Sequence, residues 1–158
     1  MIDKEELKSI VILSYLTDRM LDKLIPVIDI LHFQENEIIF SEGEQAKRFY
    51  MLKMGKVLLE QKLSDNITVS MGSIKPGFSF GWSAMLGEER YTSDALCSES
   101  SQIFSIKSEK MLKMLDADPE MGYIVNQRLL RIVKKRLDHR TNQFLRLIRS
   151  HPDIKSIL

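Results

Sequence analysis

The apolar positions of this chain change period twice. Up to about residue 25 they follow a helical rhythm, with Met20, Leu21, Leu24 and Ile25 on one face, Thr17-Asp18 as N-cap and Pro26 as stop. From 28 to 107 the period shortens. Segments 38–40, 48–54, 57–63, 67–74, 92–97 and 101–106 are rich in β-branched, aromatic or long apolar residues. Turn material separates them: Glu42-Gly43-Glu44, Met54-Gly55-Lys56, Ser64-Asp65-Asn66 and Lys75-Pro76-Gly77. Short strands at this spacing predict a rolled or barrel-like β structure. The helical period then returns. Ser108 is the expected cap of a helix over 109–115, and Asp118-Pro119 opens a long helix that runs without proline to Ser150.

The long helix carries more apolar surface than one neighbour can use. Leu130, Val133, Leu137, Arg140, Phe144 and Leu147 alternate at spacings of three and four, a coiled-coil-like seam. Val125, Leu129 and Ile132, then Leu145 and Ile148, form a second stripe. Two stripes call for two partners: the chain's own β-roll and a second copy, giving a homodimer with Leu130, Val133, Leu137, Phe144 and Leu147 at its seam. The alternative is one wide face packed inside a single chain. The expected fold class is α+β, mainly β: a double-stranded β-helix, or jelly-roll-like β-roll, with short N-terminal helices and a long C-terminal dimerisation helix. The organisation is a single domain over 1–158, with helices in 1–27, the roll in 28–107 and helices in 108–150.

Composition narrows the class. At 158 residues and 44% hydrophobic the chain can bury a real core, and its net charge of +1 excludes a highly charged disordered chain or a general nucleic-acid coat. The +1 hides an asymmetry. Residues 1–120 carry 14 basic and 20 acidic side chains, net −6, and residues 121–158 carry 9 and 2, net +7. Arg128, Arg131, Lys134, Lys135, Arg146 and Arg149 therefore present either a basic face for an acidic partner or nucleic acid, or an ordinary solvated helix face. Cys97 is the single cysteine, which excludes a disulfide, a cysteine zinc cage and an iron–sulfur cluster, and fits a cytoplasmic location. His32, His139 and His151 lack metal-ligand spacing, and no metal is expected. The acidic start and the short apolar run near residue 10 predict no signal peptide and no membrane association. Nucleophile-elbow, Walker and zinc-protease motifs are absent, so no catalytic residue and no enzyme activity are expected.

Specific residues then point to a family. Gly43-x4-Arg48-Phe49-Tyr50-x4-Gly55-x-Val57 resembles the glycine-spaced hairpins of the cyclic nucleotide-binding domain, and Phe80-Gly81-Trp82-Ser83-Ala84-Met85-Leu86 resembles its phosphate-binding cassette, here within 79–93. Pro119-Glu120-Met121 and Lys135-Arg136-Leu137 are similar to the long helix of cAMP receptor protein relatives. In that family a Gly followed by a helical turn offers backbone N–H groups to an anion. A Glu after the Gly holds the ribose, and an Arg about nine residues further, often followed by a small hydroxylic residue, pairs with the phosphate.

Here Trp82 stands in the Glu position and Tyr91 in the Arg position, while Thr92 keeps the hydroxylic one. Arg90 sits one residue early and reaches the Arg position only if the loop Gly87-Glu88-Glu89 shifts register. Trp82 has no acceptor for a ribose hydroxyl. Glu88 and Glu89 beside the cassette would repel an anion. Losing a buried Arg–phosphate pair removes about 2–5 kcal/mol, roughly thirty-fold or more in Kd. The resemblance thus implies a non-enzymatic sensor or regulatory module on a variant branch of the family. Its candidate ligand pocket comprises Gly81, Trp82, Ser83, Ala84, Arg90, Tyr91 and Thr92, with Arg140 and Thr141 from the long helix. The pocket is either rebuilt for an unidentified small molecule, with Trp82 and Tyr91 as walls, or filled by its own aromatics. No cofactor is expected and cyclic nucleotide is disfavoured, the alternative being a genuine cyclic nucleotide-binding regulatory protein that uses backbone N–H groups and Arg90. The family's regulators carry a helix-turn-helix after the long helix, and 151–158 is too short for one, so DNA binding by this chain alone is not expected.

Overall fold

The structure, a computed structural model, describes residues 2–87 and 89–155. The chain divides into two compact units at Ile124/Val125.

The first unit opens with α1 (Lys4–Lys8) and α2 (Asp18–Leu24). Thr17 caps α2 as expected, its hydroxyl accepting from the Met20 N–H at 3.3 Å, and Pro26 sits in the 3-10 turn that ends it. Eight antiparallel strands follow: β1 (Ile28–Phe33), β2 (Ile38–Phe40), β3 (Arg48–Met54), β4 (Val57–Ser64), β5 (Ile67–Ile74), β6 (Ser79–Phe80), β7 (Asp94–Cys97) and β8 (Ser101–Lys107). They form two four-stranded sheets, ordered β1-β8-β3-β6 and β2-β7-β4-β5. Strands distant in sequence pair, Ile28 with Ile106 and Ile38 with Leu96, which is the signature of a rolled double strand. This is the mainly β roll with flanking helices that the sequence predicts.

The core lies between the sheets. The central strands β3 and β8 are buried over most of their length, with Phe49, Met51, Leu52, Phe104 and Ile106 fully enclosed. Gly55 joins β3 to β4 at φ +96°, and a Cβ there would lie 2.6 Å from the Ser100 carbonyl, so only glycine permits this crossing.

α3 (Ser108–Ala117) and α4 (Pro119–Ser150) follow. Asp118 caps α4 through the Met121 N–H at 3.2 Å and pairs with Lys23 at 2.5 Å. The expected Ser108 cap is corrected. The cap position is Lys107, and the Ser108 hydroxyl, inside the helix, donates instead to the Ala84 carbonyl at 2.5 Å. A buried carbonyl needing a donor outweighs the local capping preference.

In the second unit α4 continues to Ser150 and α5 spans Pro152–Lys155. Leu130, Val133, Leu137, Phe144 and Leu147 are all exposed along it. Among the described residues no helix is long and apolar enough to cross a membrane.

Candidate functional site

The cassette begins where β6 ends. Gly81 takes φ +72°, and a Cβ there would lie 2.9 Å from Tyr50 Cδ2, so the turn requires glycine on both counts. The chain then makes a single 3-10 turn, Trp82–Met85. The Trp82 indole folds back, Nε1 donating to Ser79 Oγ at 3.2 Å, and the ring is half-buried. Ser83 is half-buried and Ala84 fully buried. Ala84 faces packing rather than a ligand, since its carbonyl ties the cassette to α3 through Ser108.

The far arm of the cassette is held in one register by residues 43–46. The Ala46 N–H donates to Glu89 O, Tyr91 N–H to Glu44 O and Gly43 N–H to Tyr91 O, each at 2.9 Å. This register decides which side chain enters the roll. Arg90 is exposed, its Nη1 donating to Gly43 O at 2.6 Å. Tyr91, on the opposite side, is 4% exposed. Thr92 is exposed, and its carbonyl accepts from Gln61 Nε2 at 2.5 Å. Glu88 lies outside the described residues.

Inside, Tyr91 joins an aromatic stack the sequence reading does not find. Its ring lies on Phe40 with centroids 3.8 Å apart and planes 17° from parallel. Phe40 meets Tyr50 at 5.5 Å, and Tyr50 meets Phe80 at 5.3 Å. The Tyr91 hydroxyl donates to Arg48 O at 2.6 Å and accepts from Arg48 N at 3.1 Å. The Arg48 guanidinium turns away, to Asp29 at 2.5 Å and Ser105 Oγ at 2.8 Å. That hydrogen bond holds the Asp29 carboxyl below its usual range. Burial pushes both the Tyr91 and Tyr50 phenols upward, so both stay neutral. Tyr50 and Arg48 stand in the hairpin motif and are legible there as fold markers only. Phe40 and Ser79 carry no local signal.

Of the predicted pocket residues in the first unit, Gly81 and Tyr91 meet the Phe40–Tyr50 rings, Trp82 folds onto Ser79, Ala84 is tied to Ser108, and Arg90 and Thr92 face out. Arg140 and Thr141 belong to the second, where both are exposed on α4. A cavity of about 620 Å³ lies between Lys47 and Arg48, Gly87 at the cassette's end, and Lys107, Glu109 and Leu112 at the start of α3. Among the described residues no cluster of three His, Cys, Asp or Glu could hold a metal ion.

Comparison with known proteins agrees with this architecture. A family model described as cyclic nucleotide-binding domain matches residues 30–118. A protein of Geobacter metallireducens GS-15, assigned as cyclic nucleotide-binding, superposes with a TM-score of 0.76 at 26% identity, over 87% of this chain and 99% of that one. A cyclic nucleotide-binding domain from Methylobacillus flagellatus KT gives a TM-score of 0.81 at 14% identity, over 94% and 85%, a likeness of fold. A cGMP-dependent protein kinase of Plasmodium berghei (strain Anka) is 24% identical over 143 residues, 80% of this chain and 16% of the kinase. The chain therefore spans about a sixth of that relative's length.

Proposed function

Because the chain belongs to the cyclic nucleotide-binding domain family, we propose that it is a non-enzymatic regulatory module that does not read cAMP or cGMP in the family's usual way. The observation that carries this reading is the place of Tyr91. By the spacing of the resemblance it falls at the position of the phosphate-pairing Arg, and in the structure it faces inward, stacked on Phe40 with its hydroxyl committed to Arg48. A neutral phenol supplies no charge to a cyclic phosphate. Arg90, the nearest cation in sequence, faces out and is bonded to Gly43. Trp82 in the ribose position spends its one donor on Ser79.

The ligand of such a module is a small molecule other than a cyclic nucleotide, admitted beside Trp82 and Tyr91. A ligand-free docking module is the second reading, favoured by the same stack, which fills the roll with the protein's own rings. The exposed stripe Leu130, Val133, Leu137, Phe144 and Leu147 supports a homodimer in either case. The single cysteine is buried, which accords with a cytoplasmic location.

Calorimetric titration tests the proposal. No saturation by cAMP or cGMP is expected below about 1 mM, and a Kd near 1 μM would refute the reading. The double variant W82E/Y91R restores both family side chains and should gain nucleotide affinity. Native mass spectrometry of the purified protein separates the two readings, a co-purified small molecule favouring the sensor.

A further inference from the structure

α4 has two opposed faces in its second-unit portion. At about 100° per residue, exposed Leu130, Val133, Leu137, Phe144 and Leu147 fall within one sector of about 100°. Arg131, Lys135, Arg146 and Arg149 fall within about 60° on the diametrically opposite side. All four of these cations are exposed. Asp138, the only acid between residues 121 and 150, borders this sector and is paired with Lys134 on its far side at 2.6 Å.

A merely solvated helix face alternates charge, because like charges three or four residues apart destabilise the helix. Arg131 with Lys135, and Arg146 with Arg149, have those spacings. They retain that cost until an anionic surface meets them.

We propose that this basic face docks an acidic protein segment, a helix carrying Asp or Glu at three- and four-residue spacing. Positions 131 and 149 stand about 27 Å apart along the axis, five helical turns, so a partner helix of similar length matches both basic pairs. Leu145 is exposed beside the face and adds an apolar contact that a phosphodiester backbone cannot use. Duplex DNA over the same length presents about sixteen phosphates to four cations. The face lies opposite the apolar stripe, so a second copy on that stripe leaves it open. The inference is independent of what the cassette binds.

Fluorescence anisotropy on the full chain tests it, using a labelled Glu-rich helical peptide of about 18 residues with that spacing. The peptide should bind, and binding should weaken at least about tenfold between roughly 0.05 and 0.3 M salt. The exposed double variant R131E/R149E should lose about tenfold or more at low salt while circular dichroism and sedimentation stay unchanged. Failure of the peptide to bind at low salt, or indifference to the charge reversal, overturns the proposal. So does tighter binding of a duplex of about 20 base pairs than of the peptide, which would assign the face to nucleic acid.

Discussion

Replacing Tyr91 probes the packing on which the functional reading rests. Tyr91→Phe keeps the ring on Phe40 and removes only the hydroxyl, which bonds both the carbonyl and the N–H of Arg48 at 2.6 and 3.1 Å. Leaving those backbone groups short of a partner costs about 1–3 kcal/mol. Tyr91→Ala removes the ring as well. Truncating a buried aromatic costs about 3–5 kcal/mol, because the void relaxes only partly. The expected order of stability is therefore wild type, Y91F, Y91A, with the ring contributing at least as much as the hydroxyl. Pairing Y91A with Phe40→Ala in a double-mutant cycle should reveal a coupling of about 0.5–1.5 kcal/mol, since the rings touch at 3.8 Å. Urea unfolding at fixed protein concentration measures all five proteins, with the midpoint shifting and the slope held. A Y91A loss below about 1 kcal/mol would refute the reasoning. The ring would then not be packed, the interior would be open, and the main support for a non-nucleotide site would go.

The two buried phenols give a pH signature. Their folded-state pKa values lie above the unfolded one, so the stability they contribute is complete below about pH 10 and is lost as pH rises further. Tyr50 and Tyr91 should ionise only as the fold opens, seen as tyrosinate absorbance coincident with loss of circular dichroism. Asp29, held low by Arg48, gives the opposite limb: its contribution is present above the ordinary carboxylate range and declines as pH falls below it, and D29N should flatten the acid side of the stability profile. Gly81→Ala combines φ +72° with a 2.9 Å approach to the Tyr50 ring and should lower stability by about 1–3 kcal/mol by urea unfolding. Leu137→Glu and Phe144→Glu place charges on the exposed stripe of α4 and should convert the proposed homodimer to monomer by sedimentation, leaving the β-sheet spectrum intact; a wild type that sediments as monomer refutes the dimer proposal.

What was legible in the sequence depends on how local its cause is. The strands over 48–54 and 67–74 are announced by their own β-rich residues and by the turns that bound them, and they appear at those limits. β1 is not announced. Ile28-Asp29-Ile30-Leu31-His32-Phe33 follows a helix stop with no turn signal, and its only strand partner is β8, seventy residues on. The exposed apolar stripe on α4 is legible because a spacing of three and four is a property of one segment. Ser108 misleads for the reverse reason: the local capping preference yields to a carbonyl on the cassette.

The cassette shows where the boundary falls. Alternation along a strand requires that Arg90 and Tyr91 point to opposite sides, and this can be read from the sequence. Which of them points inward is set by pairing with residues 43–46, almost fifty positions earlier, through backbone groups that are the same in every residue. Sliding that pairing by one residue would bring Arg90 in and turn Tyr91 out. The slip is opposed by three 2.9 Å ladder bonds, the Tyr91 bonds to Arg48 and the ring on Phe40, all of which it would break. A guanidinium in the same interior would be buried against the rings of Phe40 and Tyr50, a burial that favours the phenol unless an anion enters with the charge. The register and the aromatic lining therefore select each other, and together they support the proposal of a site that does not read a nucleotide more firmly than either substitution in the motif does alone.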